Sequence, residues 1–374
     1  MKKLNIYFCY FVHCLGGNNI HFLNIAETTE ELFTKLFKDN EDSETKNIIS
    51  WYCNNANSGF RCTLALEIMY ENAYKEFIEY FEKKFVKNLK NDEEKYNKFE
   101  GIECNVYLSF TGHSIGGNVS RGLISKLYSP YTNDGQTFEN YFDYIIKKYP
   151  FISNILPCSY VAISSPHLGS LVTSTKEPNS KFSKIAEKFV VKNFTNIVVG
   201  DVGKNLTFKD EQLKKPIPIS GTGEEPLSKY ALINNCSKKA MADLGRFPNR
   251  TLTAHLRNDV QVKYCSAMGC IETPFPNLYK HEKERLVDDK TNDIRIVMYS
   301  GFGEGSELEF YKKEIFNEKI SPKLYYDDTT KYVPDIDIDE QIKNALITKN
   351  IQQNNKQFLN IPNNYGKISI YFLK

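Results

Sequence analysis

The first apolar run of the chain covers residues 4–12, "LNIYFCYFV", and a pair of glycines follows shortly after it. A continuous run of this length, bounded by turn residues, predicts a strand that is covered on both faces. Five later runs have the β-branched and aromatic content of strands. They lie within "CNVYLSFTG", "YVAISSPHLGS", "LTAHLRNDVQV", "IRIVMYSGF" and "GKISIYFLK".

Apolar positions recur at helical spacing between the early strands. The stretch "ETTEELFTKLFKD" predicts a short amphipathic helix, residues 62–90 predict a longer one, and another helix is expected from about Asn118. In the longer helix, five apolar positions lie close to one face: Leu64, Ile68, Ala73, Phe77 and Phe81. Strands that alternate with helices of this length indicate βαβ units. The predicted fold class is therefore α/β, with a mostly parallel central sheet flanked by helices.

Two segments interrupt this alternation in what we interpret as a single domain, residues 1–374. Residues 171–230 contain a helical pattern and then a polar stretch rich in glycine and proline. They are either a surface insertion packed on the core or a cap over a pocket, because long insertions in compact domains are often lids. Residues 318–360 are charged and rich in Asn and Gln, so we expect a loosely structured polar segment there.

A serine stands between two glycines in "YLSFTGHSIGGNVSRGLISKLY", residues 107–128. A serine hydroxyl becomes a useful nucleophile when a base takes its proton and the developing oxyanion is stabilised. A sharp turn from strand to helix lifts Oγ clear of the sheet and sets it beside the free N–H groups of the helix. Such a turn is crowded, so small residues are needed at Gly112 and Gly116. The context predicts a nucleophile elbow at Ser114; the alternative is a glycine-rich turn with an incidental serine.

A second loop, "VHCLGGN" at residues 12–18, follows the first predicted strand. A loop with two glycines at this position can bring a backbone N–H group to an oxyanion. We expect the N–H groups of Leu15 and of Ile115, the residue after the serine, to supply the two donors. His13 is then a residue that shapes the loop rather than a base.

These residues carry a resemblance to the eukaryotic lipase-like putative serine esterases, a branch of the α/β-hydrolases. The matching stretches keep the order of that family over most of residues 6–270: "FVHCLGGN", "NNANSGFRCTLALEI", "LSFTGHSIGGNVSRGLI", "VAISSPHLGS", "VVGDVGKNLTFKD" and "LGRFPNRTLTAHLRNDVQVKYCSA". The resemblance implies an α/β-hydrolase fold, a triad in the order Ser, Asp, His, and ester hydrolysis without a cofactor; the cap or lid is expected from the composition of residues 171–230 alone. Cys14 stands where the family usually has Gly.

The resemblance assigns the nucleophile to Ser114 and the acidic triad member to Asp259, which would hold a histidine in the correct tautomer. Of six histidines, only His281 follows Asp259, 22 residues later. It lies in a charged, helix-like stretch where a solvated surface histidine is an equal interpretation. Three explanations stay open for the base: it lies beyond this chain, His281 supplies it, or the protein binds without catalysing. The family assigns His167 to a structural motif.

Charge and cysteine content exclude other classes of function. The formal net charge is +2 and lysines and glutamates are scattered, which does not favour nucleic acid as a partner. Nine cysteines, an odd number, show no zinc spacing, so reduced thiols in a cytoplasmic protein are expected and no metal site is predicted. The start "MKKLNIYFCYFVHCLGG" resembles a short signal peptide. Because cleavage there would remove the first strand, we interpret residues 4–12 as buried.

The sequence thus supports two hypotheses. The first is a serine esterase or lipase that hydrolyses carboxylic esters, acylglycerols or phospholipids above all, through an acyl-enzyme on Ser114, with peripheral contact to membranes or lipid droplets. The second is a catalytically silent α/β-hydrolase that binds a lipid or a partner protein, because the late triad histidine is missing. No stretch reaches the roughly 18 apolar residues that a membrane span requires.

Overall fold

The structure is a computed structural model that describes residues 3–39, 44–96, 101–169, 200–207, 210, 213, 230–255, 262, 266–267, 295–296 and 367–373. The α-helices of these residues are α1 Leu23–Asp39, α2 Leu66–Tyr80, α3 Lys87–Tyr96, α4 Ile115–Leu127, α5 Tyr141–Lys148, α6 Gly200–Leu206, α7 Ala231–Asn234 and α8 Lys238–Gly245. Two 3₁₀ turns cover Asn19–Phe22 and Gly59–Thr63, and a π-helical turn covers Phe81–Val86.

The described strands form one large sheet and one hairpin. They are β1 Lys3–Val12, β2 Thr45–Cys53, β3 Glu103–His113, β4 Tyr131–Asn133, β5 Gln136–Phe138, β6 Asn154–Ile163, β7 Asn249–His255, β8 Arg295–Ile296 and β9 Lys367–Leu373. The sheet order is β2-β1-β3-β6-β7-β9-β8, and β4 pairs with β5 separately. All sheet neighbours are parallel except β8 and β9. This mostly parallel sheet flanked by helices confirms the predicted α/β-hydrolase architecture.

Helices cover both faces of the first strand, as its unbroken apolar run predicts. Successive side chains of a strand point to opposite faces. Tyr7 lies against Phe33 of α1, with ring centroids 4.6 Å apart. Its neighbour Phe8 points the other way and contacts Phe77 of α2 and Phe81, edge to face. The strand is therefore the middle layer of a three-layer core.

The long helix predicted over residues 62–90 is broken into several pieces. The chain makes a 3₁₀ turn first, α2 starts at Leu66, and the π-helical turn interrupts the helix before α3. Of the predicted face, Ala73, Phe77 and Phe81 are fully buried. Leu64, which precedes α2, and Ile68, in the first turn of α2, are half-buried. The helical spacing of apolar residues therefore predicted the buried face correctly for the centre of the segment and wrongly for its beginning.

Glu67, in the first turn of α2, predicts a dependence of stability on pH. It is 9% exposed, its Oε2 atom has no partner among the described residues, and burial raises its pKa to about 7. Between about 4.3, the pKa of the unfolded carboxyl, and about 7, the folded state keeps a proton that the unfolded chain releases, so stability falls as pH rises. We expect Glu67→Gln to raise the free energy of unfolding by about 3 kcal/mol near pH 8 and by about 1 kcal/mol near pH 5. Urea titrations at both pH values measure this gain in the free energy of unfolding. An equal gain at both pH values would contradict the predicted pH dependence.

Parts of the predicted insertion and of the late strands are described. Most of residues 171–230, and all of 318–360, lie outside the described residues. Within the former, α6 packs beside α2, where the backbone N–H of Leu66 donates to Asn205 Oδ1 at 2.9 Å. The last predicted strand is present as β9, parallel to β7. Among the helices that the structure describes, none is long and apolar enough to cross a membrane.

Candidate active site

Ser114 occupies the junction between β3 and α4. Its backbone has φ +52° and ψ −126°, a conformation that non-glycine residues rarely adopt, and its N–H donates to the carbonyl of Ile163 at 2.8 Å. The helix begins at Ile115, three residues earlier than the predicted start at Asn118. The serine therefore sits directly at the helix N-terminus, and a strained backbone of this kind is often found at functional positions.

Backbone crowding explains the glycines on either side of Ser114. A Cβ atom on Gly112 would lie 2.4 Å from the carbonyl oxygen of Gly116, and one on Gly116 would lie 2.1 Å from that of Val12. Both contacts are with backbone, which cannot swing aside as a side chain can. The same approach sets the first turn of α4 against the loop that follows β1.

Replacing Gly116 with alanine is expected to destabilise the protein by about 3 kcal/mol or more, because the added methyl group overlaps the Val12 carbonyl oxygen. Urea denaturation of the purified variants measures the effect. Gly245→Ala is the matched control, since a Cβ atom there meets nothing within 4 Å. If the Gly116 variant were as stable as this control, the close packing of the turn would be refuted.

The loop after β1 holds one peptide group in a fixed orientation. The carbonyl oxygen of Cys14 accepts hydrogen bonds from the N–H of Gly17 and from His13 Nδ1, both at 3.0 Å. In a trans peptide the N–H of the next residue points opposite to this carbonyl, so the N–H of Leu15 is turned away from both donors. No described residue accepts a hydrogen bond from the N–H of Leu15 or of Ile115. Both groups can therefore donate to a bound oxygen.

The 3₁₀ turn Gly59–Thr63 supports this loop from the side. The N–H of Gly59 donates to the carbonyl of Gly17 at 3.1 Å, and the N–H of Gly16 donates to Cys62 Sγ at 2.8 Å. The thiol of Cys62 in turn donates to the carbonyl of Gly59 at 2.7 Å. Sequence reasoning did not identify this support, because it joins two loops that are more than forty residues apart.

His13 is bound into the loop through its ring nitrogen Nδ1. A carbonyl oxygen only accepts, so the bond to Cys14 places a proton on Nδ1. The other ring nitrogen, Nε2, lies 3.2 Å from Ser58 Oγ, which donates its own proton to Asn55 Oδ1 at 2.9 Å. Burial lowers the pKa of this imidazole below its ordinary value. A neutral histidine with Nδ1 engaged in this way acts as a support for the loop, the role predicted from the sequence.

His167 is buried on the loop after β6 and faces Arg121 of α4. The guanidinium Nη1 lies 3.3 Å from His167 Nδ1, and a guanidinium only donates, so Nδ1 is the acceptor and Nε2 carries the proton. Burial and the Arg121 charge hold the pKa of His167 well below its usual range. Its Nε2 has no partner among the described residues. A ring in this tautomer cannot take a proton from a serine at Nε2, so His167 is unsuited to be a general base.

Asp259 and His281 lie outside the described residues. The strand that precedes Asp259, β7, ends at the same edge of the sheet as β3, because Thr253 pairs with Ile163 in parallel register and Ile163 pairs with His113. This edge also carries Ser164, a second serine with positive φ (+47°), which is buried, unlike the half-buried Ser114, and which the sequence analysis did not single out. Within the described part of the chain, no group of three or more His, Cys, Asp or Glu side chains is arranged to hold a metal ion.

Comparison with known families gives one match. The sequence model of the family described as "Putative serine esterase (DUF676)" matches residues 3–271. This range contains both loops, the Ser114 turn and Asp259. Among curated proteins, none matches the chain significantly.

Several solved structures resemble the chain at low identity. The phospholipase PlaB from Legionella pneumophila, solved in complex with thio-NAD, is 11% identical with a TM-score of 0.33, and the match covers 68% of this chain but only 39% of PlaB. A monoacylglycerol lipase from Paleococcus ferrophilus is 14% identical with a TM-score of 0.27, covering 70% of this chain and 77% of the lipase. A lipase-esterase related protein from Clostridium acetobutylicum is 14% identical with a TM-score of 0.23, covering 68% and 77%.

Proposed function

Because the chain belongs to the family of putative serine esterases, we propose that it hydrolyses carboxylic esters, in particular lipid acyl esters, through an acyl-enzyme on Ser114. One observation carries this proposal: Ser114 is held at positive φ between β3 and α4, next to a loop whose Leu15 N–H has no partner among the described residues. A catalytic serine on a nucleophile elbow, beside its oxyanion donors, has these features.

In the proposed mechanism, Ser114 Oγ attacks the ester carbonyl carbon while a base removes the hydroxyl proton. The carbonyl oxygen becomes an oxyanion that accepts hydrogen bonds from the N–H groups of Leu15 and Ile115. The tetrahedral intermediate then collapses, the protonated base gives its proton to the leaving alcohol, and the acyl group stays on Ser114. Water, activated by the same base, hydrolyses the acyl-enzyme and restores the serine.

The proposed base is His281, and Asp259 is proposed to orient it and to stabilise its protonated form. The bonding of two described histidines reduces the number of alternative bases. His13 and His167 have depressed pKa values and ring nitrogens committed to the loop and to Arg121. A base near neutrality needs a pKa closer to 7 and a free acceptor nitrogen.

The lipid acyl specificity rests on the aromatic content of the chain, 13%, and on the apolar helical pattern of residues 171–230. Ester pockets for acyl chains are lined mainly by apolar side chains. Purified protein should react with a fluorophosphonate probe and hydrolyse nitrophenyl esters, faster for longer acyl chains. A protein that neither reacts nor turns over any ester would refute the proposal.

The second candidate function is a catalytically silent module that binds lipid. The observation in its favour is that the proposed base, His281, lies in the charged stretch "NLYKHEKERL", where a solvated surface histidine is an equal interpretation. A rapid-mixing experiment with nitrophenyl ester distinguishes the two candidate functions. An enzyme that forms an acyl-enzyme gives a burst of product, whereas a silent module gives none although it binds a non-hydrolysable acyl analogue.

A further inference from the structure

An exposed apolar surface borders the loop that carries Leu15. Phe60, in the 3₁₀ turn beside this loop, is 93% exposed, and Ile20, which follows the loop, is 62% exposed. The bond from the Gly59 N–H to the Gly17 carbonyl holds the two segments together. We call four exposed side chains of these segments, those of Ile20, His21, Phe60 and Arg61, the mouth patch.

Phe60 lies in a turn that several hydrogen bonds hold in place. Thr63 Oγ1 donates to the Phe60 carbonyl at 2.7 Å, and Arg61 Nη2 donates to the carbonyl of Asn55 at 3.2 Å. Cys62, the neighbour of Arg61, is buried and bonded to Gly59 and Gly16. A single exposed apolar side chain is ordinary on a protein surface. An almost fully exposed phenylalanine on an ordered turn beside a candidate active site is a feature of interaction surfaces.

The mouth patch itself contains one positively charged side chain, Arg61, and no carboxylate. Residues 13–26 and 54–66 contain no Asp or Glu, although the chain has 46 acidic residues among 374. Arg61 is exposed, and Glu67, the next acid along the chain, is buried. The adjacent helix α6 brings Asp201, whose carboxylate is paired with Lys204 at 2.7 Å. Glu76 is half-buried, and its carboxylate accepts hydrogen bonds from the N–H groups of Asn55 and Ala56 at 3.0 Å. The exposed charge of the mouth patch itself is therefore the single positive charge of Arg61, which complements an anionic surface.

From this pairing of apolar and basic side chains we infer that the mouth patch docks the protein on anionic phospholipid surfaces, with Phe60 and Ile20 inserted among the acyl chains and Arg61 at the headgroups. Interfacial anchors combine an apolar insertion with attraction to anionic lipids in this way. The inference rests on the proposed function, since it would bring the Ser114 site to an aggregated ester substrate. Binding itself does not require hydrolysis and can be measured separately.

Binding is best measured with the full chain carrying Ser114→Ala, so that vesicles are not degraded. Sedimentation with vesicles of phosphatidylcholine and phosphatidylserine in equal amounts, and with vesicles of phosphatidylcholine alone, gives the partition coefficient. We expect the parent to bind the anionic vesicles more tightly and added salt to weaken that binding. Phe60→Ala should lower the partition coefficient by about tenfold or more, from the apolar area that no longer enters the lipid.

Two further variants locate the surface. Leu32→Ala removes an apolar side chain of α1 that is 64% exposed and lies outside the mouth patch, and it should bind as the parent does. Phe60→Trp should keep binding, and its fluorescence should shift to the blue on vesicles beyond any contribution of Trp51, the natural tryptophan. The inference would be overturned if the parent bound neither vesicle or bound both with the same affinity. It would also be overturned if Phe60→Ala bound like the parent, or if Leu32→Ala lost as much binding as Phe60→Ala.

Discussion

Replacing Ser114 with alanine is expected to lower ester turnover by about 10⁴- to 10⁶-fold and to abolish reaction with a fluorophosphonate probe. The hydroxyl makes no capping bond at the start of α4, so its removal breaks no contact that stabilises the turn. Alanine has the same difficulty as serine in adopting φ +52°, which leaves the backbone strain unchanged. The loss should therefore appear in the rate constant for acylation and not in the free energy of unfolding.

Ser164→Ala is the matched control for this prediction. Like Ser114, Ser164 has positive φ and follows a strand, β6, which pairs with β3; unlike the half-buried Ser114, it is buried. Its Oγ has no partner among the described residues. If Ser114 is the nucleophile, the Ser164 variant should keep the probe reaction and lose less than about tenfold in rate. If labelling survived in Ser114→Ala and disappeared in Ser164→Ala, the nucleophile would be Ser164, after the neighbouring strand.

The parts of the fold that the sequence predicted well are those where a local constraint acts. The strand of residues 4–12 is a nearly continuous apolar run because helices pack on both of its faces. The strand before Ser114 alternates between buried and half-buried residues along its second half, with apolar side chains at the buried positions 106, 108 and 110. The turn between β3 and α4 was found because steric crowding admits only glycine at Gly112 and Gly116. These signals lie in short stretches of sequence and do not depend on distant residues.

The edge strand β2 escaped prediction because its pattern is mixed. Thr45–Cys53 reads "TKNIISWYC", and most of its residues are half-buried, so neither strict alternation nor an apolar run stands out. The π-helical turn after α2 also left no local signal, since its phenylalanines keep nearly the spacing of an ordinary helix. In both cases packing from other elements decided the structure.

The histidine roles depend on partners that are far apart in sequence. His167 meets Arg121, 46 residues away, and His13 meets Ser58, 45 residues away. Sequence analysis could assign His13 to the loop and His167 to a structural motif through family resemblance, but the tautomers follow only from the hydrogen bonds of the folded chain. They remove two of the six histidines from the list of general bases, which strengthens the choice of His281.

His281→Gln and Asp259→Asn are each expected to lower turnover by about 10⁴-fold, the loss typical when the base or its orienting carboxylate is removed from a serine triad. The double variant should be little worse than either single variant, because residues that act as a unit do not contribute additively. The control is His21→Gln, measured on a water-soluble nitrophenyl ester, which does not need the mouth patch for docking. Because His21 is exposed, this variant should lose less than about twofold in rate.

The pH profile separates a lost base from a disturbed fold. With His281 as base, the rate constant of the parent should rise through a single ionisation near neutrality, and the residual rate of His281→Gln should lack that ionisation. Neither His13 nor His167 can produce it, because both have pKa values lowered by burial. If His281→Gln kept the full rate and the same ionisation, His281 would be a surface histidine, and the base would have to be another group that reaches Ser114. If the parent reacted with the probe at Ser114 but turned over no ester at any pH, the silent module would be the better description of this chain.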